Sequence, residues 1–179
     1  MKRFGHTIKE HTITVPWDYD NPAAGEFELY AREIIPPGGE SCPALLYNQG
    51  GPGFPAPRPT GATGLIGKGL ERYRWILMDQ RGTGRSHRID ELSPAEDRSA
   101  ARLAQLRQEN IVRDAEHLRE HLGEDSWDLY GQSFGGFIIT AYISMFPDSI
   151  GRAFLTGGLP TLTKGADDLY RTTFAKLKV

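Results

Sequence analysis

Hydrophobic and polar residues alternate in two segments near the start of the chain, and this pattern predicts two β-strands. The alternation covers residues 11–15 and again residues 26–35, and turn residues rich in Pro, Gly, Asp and Asn close each segment. Two later apolar runs, at residues 44–48 and 73–78, do not alternate, which is typical of strands buried on both faces. We expect the first two strands to pair antiparallel.

Helical periodicity begins after these strands. From about residue 94 to residue 122, apolar residues recur at steps of three and four while charged residues occupy the other face. Gly123 is a good helix stop. The predicted apolar stripe of this helix consists of Ile111, Ala115, Leu118 and Leu122.

The rest of the chain continues to alternate between strands and helices. Residues 127–130 predict a strand, residues 134–146 an apolar helix, and residues 150–156 a further strand, whereas residues 161–179 look helical without a clear partner. Such alternation predicts an α/β fold with a mostly parallel sheet that helices cover on both faces. We assign residues 1–160 to this core and residues 161–179 to a tail or to the start of another helical unit.

The sequence Gly-Gln-Ser-Phe-Gly at residues 131–135 matches the G-x-S-x-G pattern of a nucleophile elbow, with Ser133 at its centre. A predicted strand precedes it and a predicted helix follows it, which is the context that an exposed catalytic serine requires. Gly131 and Gly135 give room for the sharp turn, and Gly136 is expected to let the helix pack close to the sheet.

The expected partners of this serine are not recognisable. In hydrolases with this elbow, the chain order is Ser, then Asp or Glu, then His. All five histidines of this chain precede Ser133. Asp148, Asp167 and Asp168 follow it, but they lie beside the elbow helix or in the tail. The sequence therefore resembles the front part of a hydrolase that lacks its general base.

A glycine-rich segment, residues 48–55, follows the strand at residues 44–48. Glycines at a strand end let backbone N–H groups point into a cavity, as an oxyanion hole requires. In this kind of site the N–H pairs with that of the residue after the nucleophile, here Phe134. Gly51, Gly53 and Ala56 also resemble a dinucleotide-binding fingerprint. That fingerprint must open a helix, which the prolines at alternate positions from 55 to 59 prevent.

A third motif, Asp-Gln-Arg-Gly-Thr-Gly-Arg-Ser at residues 79–86, follows the second buried strand. We interpret it as a structural turn that braces the loops under the site. A fourth pattern, His117-Leu-Arg-Glu-His121, matches the inverted zinc-peptidase signature. Its histidines lie on the charged helix face without an obvious third ligand, so a solvated surface is the better interpretation and no metal is expected.

Three motifs follow one another along the chain: Gln-Gly-Gly-Pro-Gly, Asp-Gln-Arg-Gly-Thr-Gly-Arg-Ser and Gly-Gln-Ser-Phe-Gly-Gly. With this ordered set, the chain resembles the proline iminopeptidases (prolyl aminopeptidases) of the α/β-hydrolase fold over about residues 10–160. Gln49 and Phe134 stand where many members have His and Trp. The resemblance implies an α/β-hydrolase core cut before its last strands and helical cap. It implies Ser133 as nucleophile, the N–H groups of Gly51 and Phe134 as the oxyanion hole with Gly50 the less favoured donor, and release of N-terminal proline from peptides without a cofactor.

The composition of the chain bears on its binding partners and on its location in the cell. A net charge of −2 gives no reason to expect nucleic acid or an anionic membrane as a partner. No apolar run approaches the length of a membrane span or of a secretory signal. The single cysteine, Cys42, forbids an intrachain disulfide and favours a reducing compartment, so we expect a cytoplasmic protein.

Three hypotheses for the function remain open at this point. The chain is part of a proline iminopeptidase, part of a related serine esterase or amidase, or a non-catalytic interaction protein that keeps the fold. Without a base, Ser133 in this chain alone should be close to inert. We also expect the strand at residues 150–156 to leave an unpaired sheet edge, through which the chain self-associates.

Overall fold

The computed structural model describes residues 1–3, 5–59, 61, 64–158, 167, 168 and 171. Within these residues, seven strands form one sheet in the order β1-β2-β3-β5-β4-β6-β7. The strands are β1 (Lys2–Arg3), β2 (His6–Pro16), β3 (Glu26–Ile35), β4 (Ala44–Asn48), β5 (Arg74–Met78), β6 (Trp127–Gln132) and β7 (Ile150–Thr156). Most of the tail at residues 161–179, and with it the proposed division at residue 160, lies outside the described residues.

The sheet is mixed, and its parallel part carries the elbow. β4 pairs in parallel with β5 and β6, and β6 pairs in parallel with β7. β3 is antiparallel to both β2 and β5. Five of the seven described strands therefore run in one direction, namely β2, β4, β5, β6 and β7. The predicted antiparallel pairing of the first two long strands is confirmed, although β2 is longer than residues 11–15 and the short β1 precedes it.

Helices cover both faces of the sheet. The helices are α1 (Gly64–Gly69), α2 (Ala100–Leu103), α3 (Gln108–Leu122) and α4 (Phe134–Met145), with short 3-10 turns at Pro22–Ala24 and Pro147–Ser149. α3 and α4 pack on one face over a core that includes Leu46, Leu129 and Ile138. On the other face, Ile66 of α1 packs over Trp75 and Leu77.

The prediction of one helix from residue 94 to residue 122 is wrong, because the chain turns between α2 and α3. The carbonyl oxygen of Gln105 accepts hydrogen bonds from the Arg81 guanidinium and from the Asn110 side chain, both at 3.1 Å. In a continuous helix that oxygen would accept the N–H of Glu109 instead. The side chains of Arg81 and Asn110 thus occupy an acceptor that a continuous helix would use for a backbone hydrogen bond.

The faces of α3 also differ from the prediction in part. Ile111, Ala115 and Leu118 of the predicted apolar stripe are buried. Two charged residues of α3 outside this stripe, Asp114 and Glu116, are buried as well. Each is compensated by hydrogen bonds, from Arg81 and Tyr19 to Asp114, and from Tyr142, Ser149 and Arg119 to Glu116. Partners on other elements make this burial possible.

Candidate active site

Ser133 lies at the sharp turn between β6 and α4, and its side chain is exposed. Its φ of 55° and ψ of −123° place a non-glycine residue in a sparsely populated backbone region. The Ser133 N–H donates to the carbonyl oxygen of Thr156 at 3.0 Å, and the Ser133 carbonyl accepts from the Gly136 N–H at 2.8 Å. Such a strained turn, held on both sides, is the backbone form of a nucleophile elbow.

Close backbone contacts explain the glycines around the elbow. A Cβ on Gly131 would lie 2.4 Å from the carbonyl oxygen of Gly135, and one on Gly135 would lie 2.1 Å from that of Asn48 in β4. A Cβ on Gly136 would lie 2.1 Å from the carbonyl oxygen of Gly158, beyond β7. Gly135 therefore makes the close approach to the sheet that we predicted for Gly136, which instead contacts the segment after β7.

The glycine loop, defined here as residues 49–56, passes directly beside the elbow. A Cβ on Gly50 would lie 2.6 Å from the Gln132 carbonyl oxygen and 3.2 Å from Ser133 Cβ. Gly50 is buried, whereas Gly51, at a φ of 129°, is exposed. The N–H of Phe134 is the first of α4 and so has no acceptor within the helix. The predicted oxyanion donors, Gly51 and Phe134, thus lie on the two backbone segments that meet at Ser133.

The turn at residues 79–86 contacts the glycine loop at both ends. Gln80 Nε2 donates to the Gln49 carbonyl at 2.9 Å, and Asp79 Oδ1 accepts the Ala56 N–H at 3.0 Å. Arg58 also donates to the buried Asp79 carboxylate. The hydrogen bond from Arg58 to this carboxylate raises the pKa of Arg58 above its usual value. These are the contacts expected of the brace that the sequence predicted.

A cavity of about 310 Å³ lies beside the elbow. Phe134 and Pro52 line it on the elbow side, and Ile89, Leu106 and Ile111 supply further apolar walls. Its polar lining comes from the turn at residues 79–86. The cavity can therefore receive an apolar group next to the residue that follows Ser133.

The histidines of the chain lie in other environments. His87 Nε2 is 2.9 Å from Asp97 Oδ2, and its ring contacts Trp17 edge-on. His117 stacks on Tyr19, and His121 contacts the ring of His11 edge-on. Within the described part of the chain, no three His, Cys, Asp or Glu side chains gather as a set that could hold a metal ion.

Sequence comparison identifies the fold family. The profile of the alpha/beta hydrolase fold matches residues 43–177. The chain belongs to the α/β-hydrolase fold family. The α/β-hydrolase core expected from the sequence is thereby confirmed, and the elbow at Ser133 occupies the strand-to-helix turn that this fold uses for its nucleophile.

Individual relatives confirm the resemblance to proline iminopeptidases. The chain is 43% identical to a proline iminopeptidase of Aeromonas sobria over 97% of this chain, and 35% identical to one of Aspergillus aculeatus over 88% of it. It spans only 42% and 40% of the lengths of those two proteins. A solved proline iminopeptidase-related protein from Thermus thermophilus is 25% identical with a TM-score of 0.51, covering 82% of this chain and 44% of its own.

Among the described residues, no helix is both long and apolar enough to cross a membrane.

Proposed function

We propose that the protein is a serine peptidase that releases N-terminal proline from peptides. The observation that carries this proposal is the 43% identity to a proline iminopeptidase over 97% of the chain, in a chain whose Ser133 occupies a nucleophile elbow. The peptide substrate requires no cofactor, because acyl transfer to a serine needs only a base and an oxyanion site. The single cysteine supports a cytoplasmic location for this activity.

In the proposed mechanism, Ser133 Oγ attacks the carbonyl carbon of the N-terminal proline and forms an acyl-enzyme, while the peptide bond after the proline breaks and the remaining peptide leaves as a free amine. Water then hydrolyses the ester and releases proline. The backbone N–H groups of Gly51 and Phe134 donate to the oxyanion, and Gly50, which is buried against Gln132, is the less favoured donor. The α4 N-terminus adds a favourable dipole for the developing negative charge. The proposed base that accepts the serine proton is a histidine, which in this fold follows the nucleophile along the chain, whereas every histidine of this sequence precedes Ser133.

The test compares two substrates on the gene product expressed at its full natural length. We expect hydrolysis of a prolyl-arylamide and one fluorophosphonate adduct at Ser133 by intact-mass spectrometry. Turnover of p-nitrophenyl esters without release of proline would contradict the peptidase and favour an esterase of the same fold. No turnover and no adduct would favour a non-catalytic protein.

We further propose that the chain self-associates through β7. Within the described residues β7 pairs only with β6, so no described strand covers its other edge, and Phe154 on this strand is 41% exposed. An open edge with an apolar side chain favours pairing with a second chain. We expect light scattering of the 179-residue chain to show a mass that rises with concentration, and Phe154→Lys to reduce this rise.

Ile143→Lys is the matched control, because Ile143 is 44% exposed but lies on α4 and not on the sheet edge. It should leave the concentration dependence unchanged. A monomer at high concentration in the unmodified chain would contradict the proposal.

A further inference from the structure

Asp79 and Gln80 are consecutive residues that contact opposite ends of the glycine loop. Gln80 is buried, and its amide Nε2 donates to the carbonyl oxygen of Gln49, directly before Gly50. Asp79 is fully buried, and its Oδ1 accepts the N–H of Ala56 at the other end of the loop. Between these two contacts lie Gly50 and Gly51, the segment that approaches Ser133.

The turn that carries these two residues is itself fixed to the sheet. Ser86 Oγ donates to the Asp79 carbonyl at 2.6 Å and accepts the N–H of Tyr30 in β3 at 2.9 Å. Asp79 Oδ2 accepts the Arg85 N–H at 2.9 Å. A Cβ on Gly84 would lie 2.2 Å from Asp79 Oδ2, so the turn wraps tightly around the carboxylate. A chain of hydrogen bonds therefore leads from a central strand to the glycine loop.

The glycine loop needs this external support because its own backbone is flexible and exposed. Gly51 and Gly53 adopt positive φ values of 129° and 92°, and glycine has the largest backbone freedom to lose. The segment from Gly51 to Pro55 is exposed. An oxyanion donor contributes fully only when its N–H is already aimed at the place where the charge develops.

We propose that Gln80 and Asp79 are positioning residues, which clamp the two ends of the glycine loop and so fix the N–H of Gly51 beside Ser133. They act through the backbone of Gln49 and Ala56, to which their side chains are hydrogen-bonded. Gln80 has the more direct effect, since its acceptor lies two residues before Gly51. The catalytic part of this inference rests on the proposed function, whereas the clamp itself does not.

The clamp is tested by backbone relaxation on the ¹⁵N-labelled protein at its full natural length. We expect Gln80→Met to lower the amide order parameters of Gly50 and Gly51 while those of β4 stay unchanged. Gln105→Met is the matched control, because Gln105 Nε2 also donates, to Asp18 at 3.2 Å, but outside the glycine loop. Unchanged order parameters at Gly50 and Gly51 in a folded Gln80→Met chain would overturn the proposal. Gln80→Asn, too short to reach Gln49, repeats the test if the methionine variant does not fold.

The catalytic consequence is measured on the protein at its full natural length with a prolyl-arylamide. We expect Gln80→Met to lower kcat about 10- to 100-fold with little change in KM. The reason is that a displaced Gly51 N–H weakens a hydrogen bond to the oxyanion, which forms mainly in the transition state. An unchanged kcat would overturn the positioning role. If the unmodified protein releases no proline, the proposed function fails, and the relaxation measurement still decides whether the clamp exists.

Discussion

Replacing Ser133 with alanine is expected to abolish proline release by the full-length protein, with a fall in kcat of about 10⁵- to 10⁶-fold. The reason is chemical: in the proposed mechanism the Ser133 hydroxyl, which lies on the elbow, is the nucleophile, and alanine has no group that could replace it. The measurement is the initial rate on a prolyl-arylamide, together with the mass of the protein after treatment with a fluorophosphonate.

Ser144→Ala provides the matched control for this experiment. Ser144 lies on the same helix α4, is exposed, and donates its Oγ–H to the carbonyl oxygen of Thr140 at 3.0 Å. Its replacement should leave both the rate and the adduct unchanged. Undiminished activity in Ser133→Ala would reject the peptidase and the esterase together, since both depend on this hydroxyl.

Asp114→Ala is expected to lower the free energy of unfolding by about 3–5 kcal/mol, because it leaves a buried guanidinium without its counter-ion. Arg81 Nε and Nη2 donate to the two oxygens of Asp114 at 2.8 and 2.6 Å, and both side chains are 0% exposed. Arg81 also donates to the carbonyl oxygens of Trp17 and Gln105. The pair thus joins the end of β2, the turn before α3 and α3 itself.

The neighbouring Tyr19 belongs to the same group. Its hydroxyl donates to Asp114 Oδ1 at 2.8 Å. Burial, reinforced by the charge of Asp114, raises the pKa of Tyr19 above its usual value, so that this hydroxyl remains a donor. Asp114→Ala therefore removes the acceptor of two side chains, which adds to the destabilisation.

The stability is measured by urea unfolding, with the slope of the transition compared between variants. Asp20→Ala is the control, because the ion pair of Asp20 with Arg113 at 3.2 Å is exposed and should contribute only about 0.2–1 kcal/mol. Combining Asp114→Leu with Arg81→Met should recover part of the loss, since no unpaired charge then remains. An Asp114→Ala chain with the wild-type midpoint would contradict this account.

Short-range patterns in the sequence were sufficient to predict many of the strands and helices. The bounds of β3, β4 and β7 coincide with the predicted strands, because alternation or a continuous apolar run between turn residues is a local signal. The elbow was also readable, since a strand, G-x-S-x-G and a helix follow one another without interruption. The glycine loop was predicted beside the site on a similar local signal, because its glycines directly follow the strand at residues 44–48.

Contacts between segments that are distant in the sequence could not be predicted from such local patterns. Arg81 and Asp114 are 33 positions apart, and the helical pattern indicated only that charged residues lie opposite the apolar stripe. The break before α3 was missed for a related reason, because Gln105 gives up its helical hydrogen bond to a guanidinium from another loop.

The sequence by itself determined the type and order of most elements and the residue at the centre of the elbow, because these depend on neighbours along the chain. Only the tertiary structure decided that Gly135 rather than Gly136 approaches the sheet, and that Gln80 bonds to Gln49, 31 positions away. Such contacts depend on how strands are ordered in the sheet. That order brings β4, β5 and β6 side by side, so that the loops after them meet at Ser133.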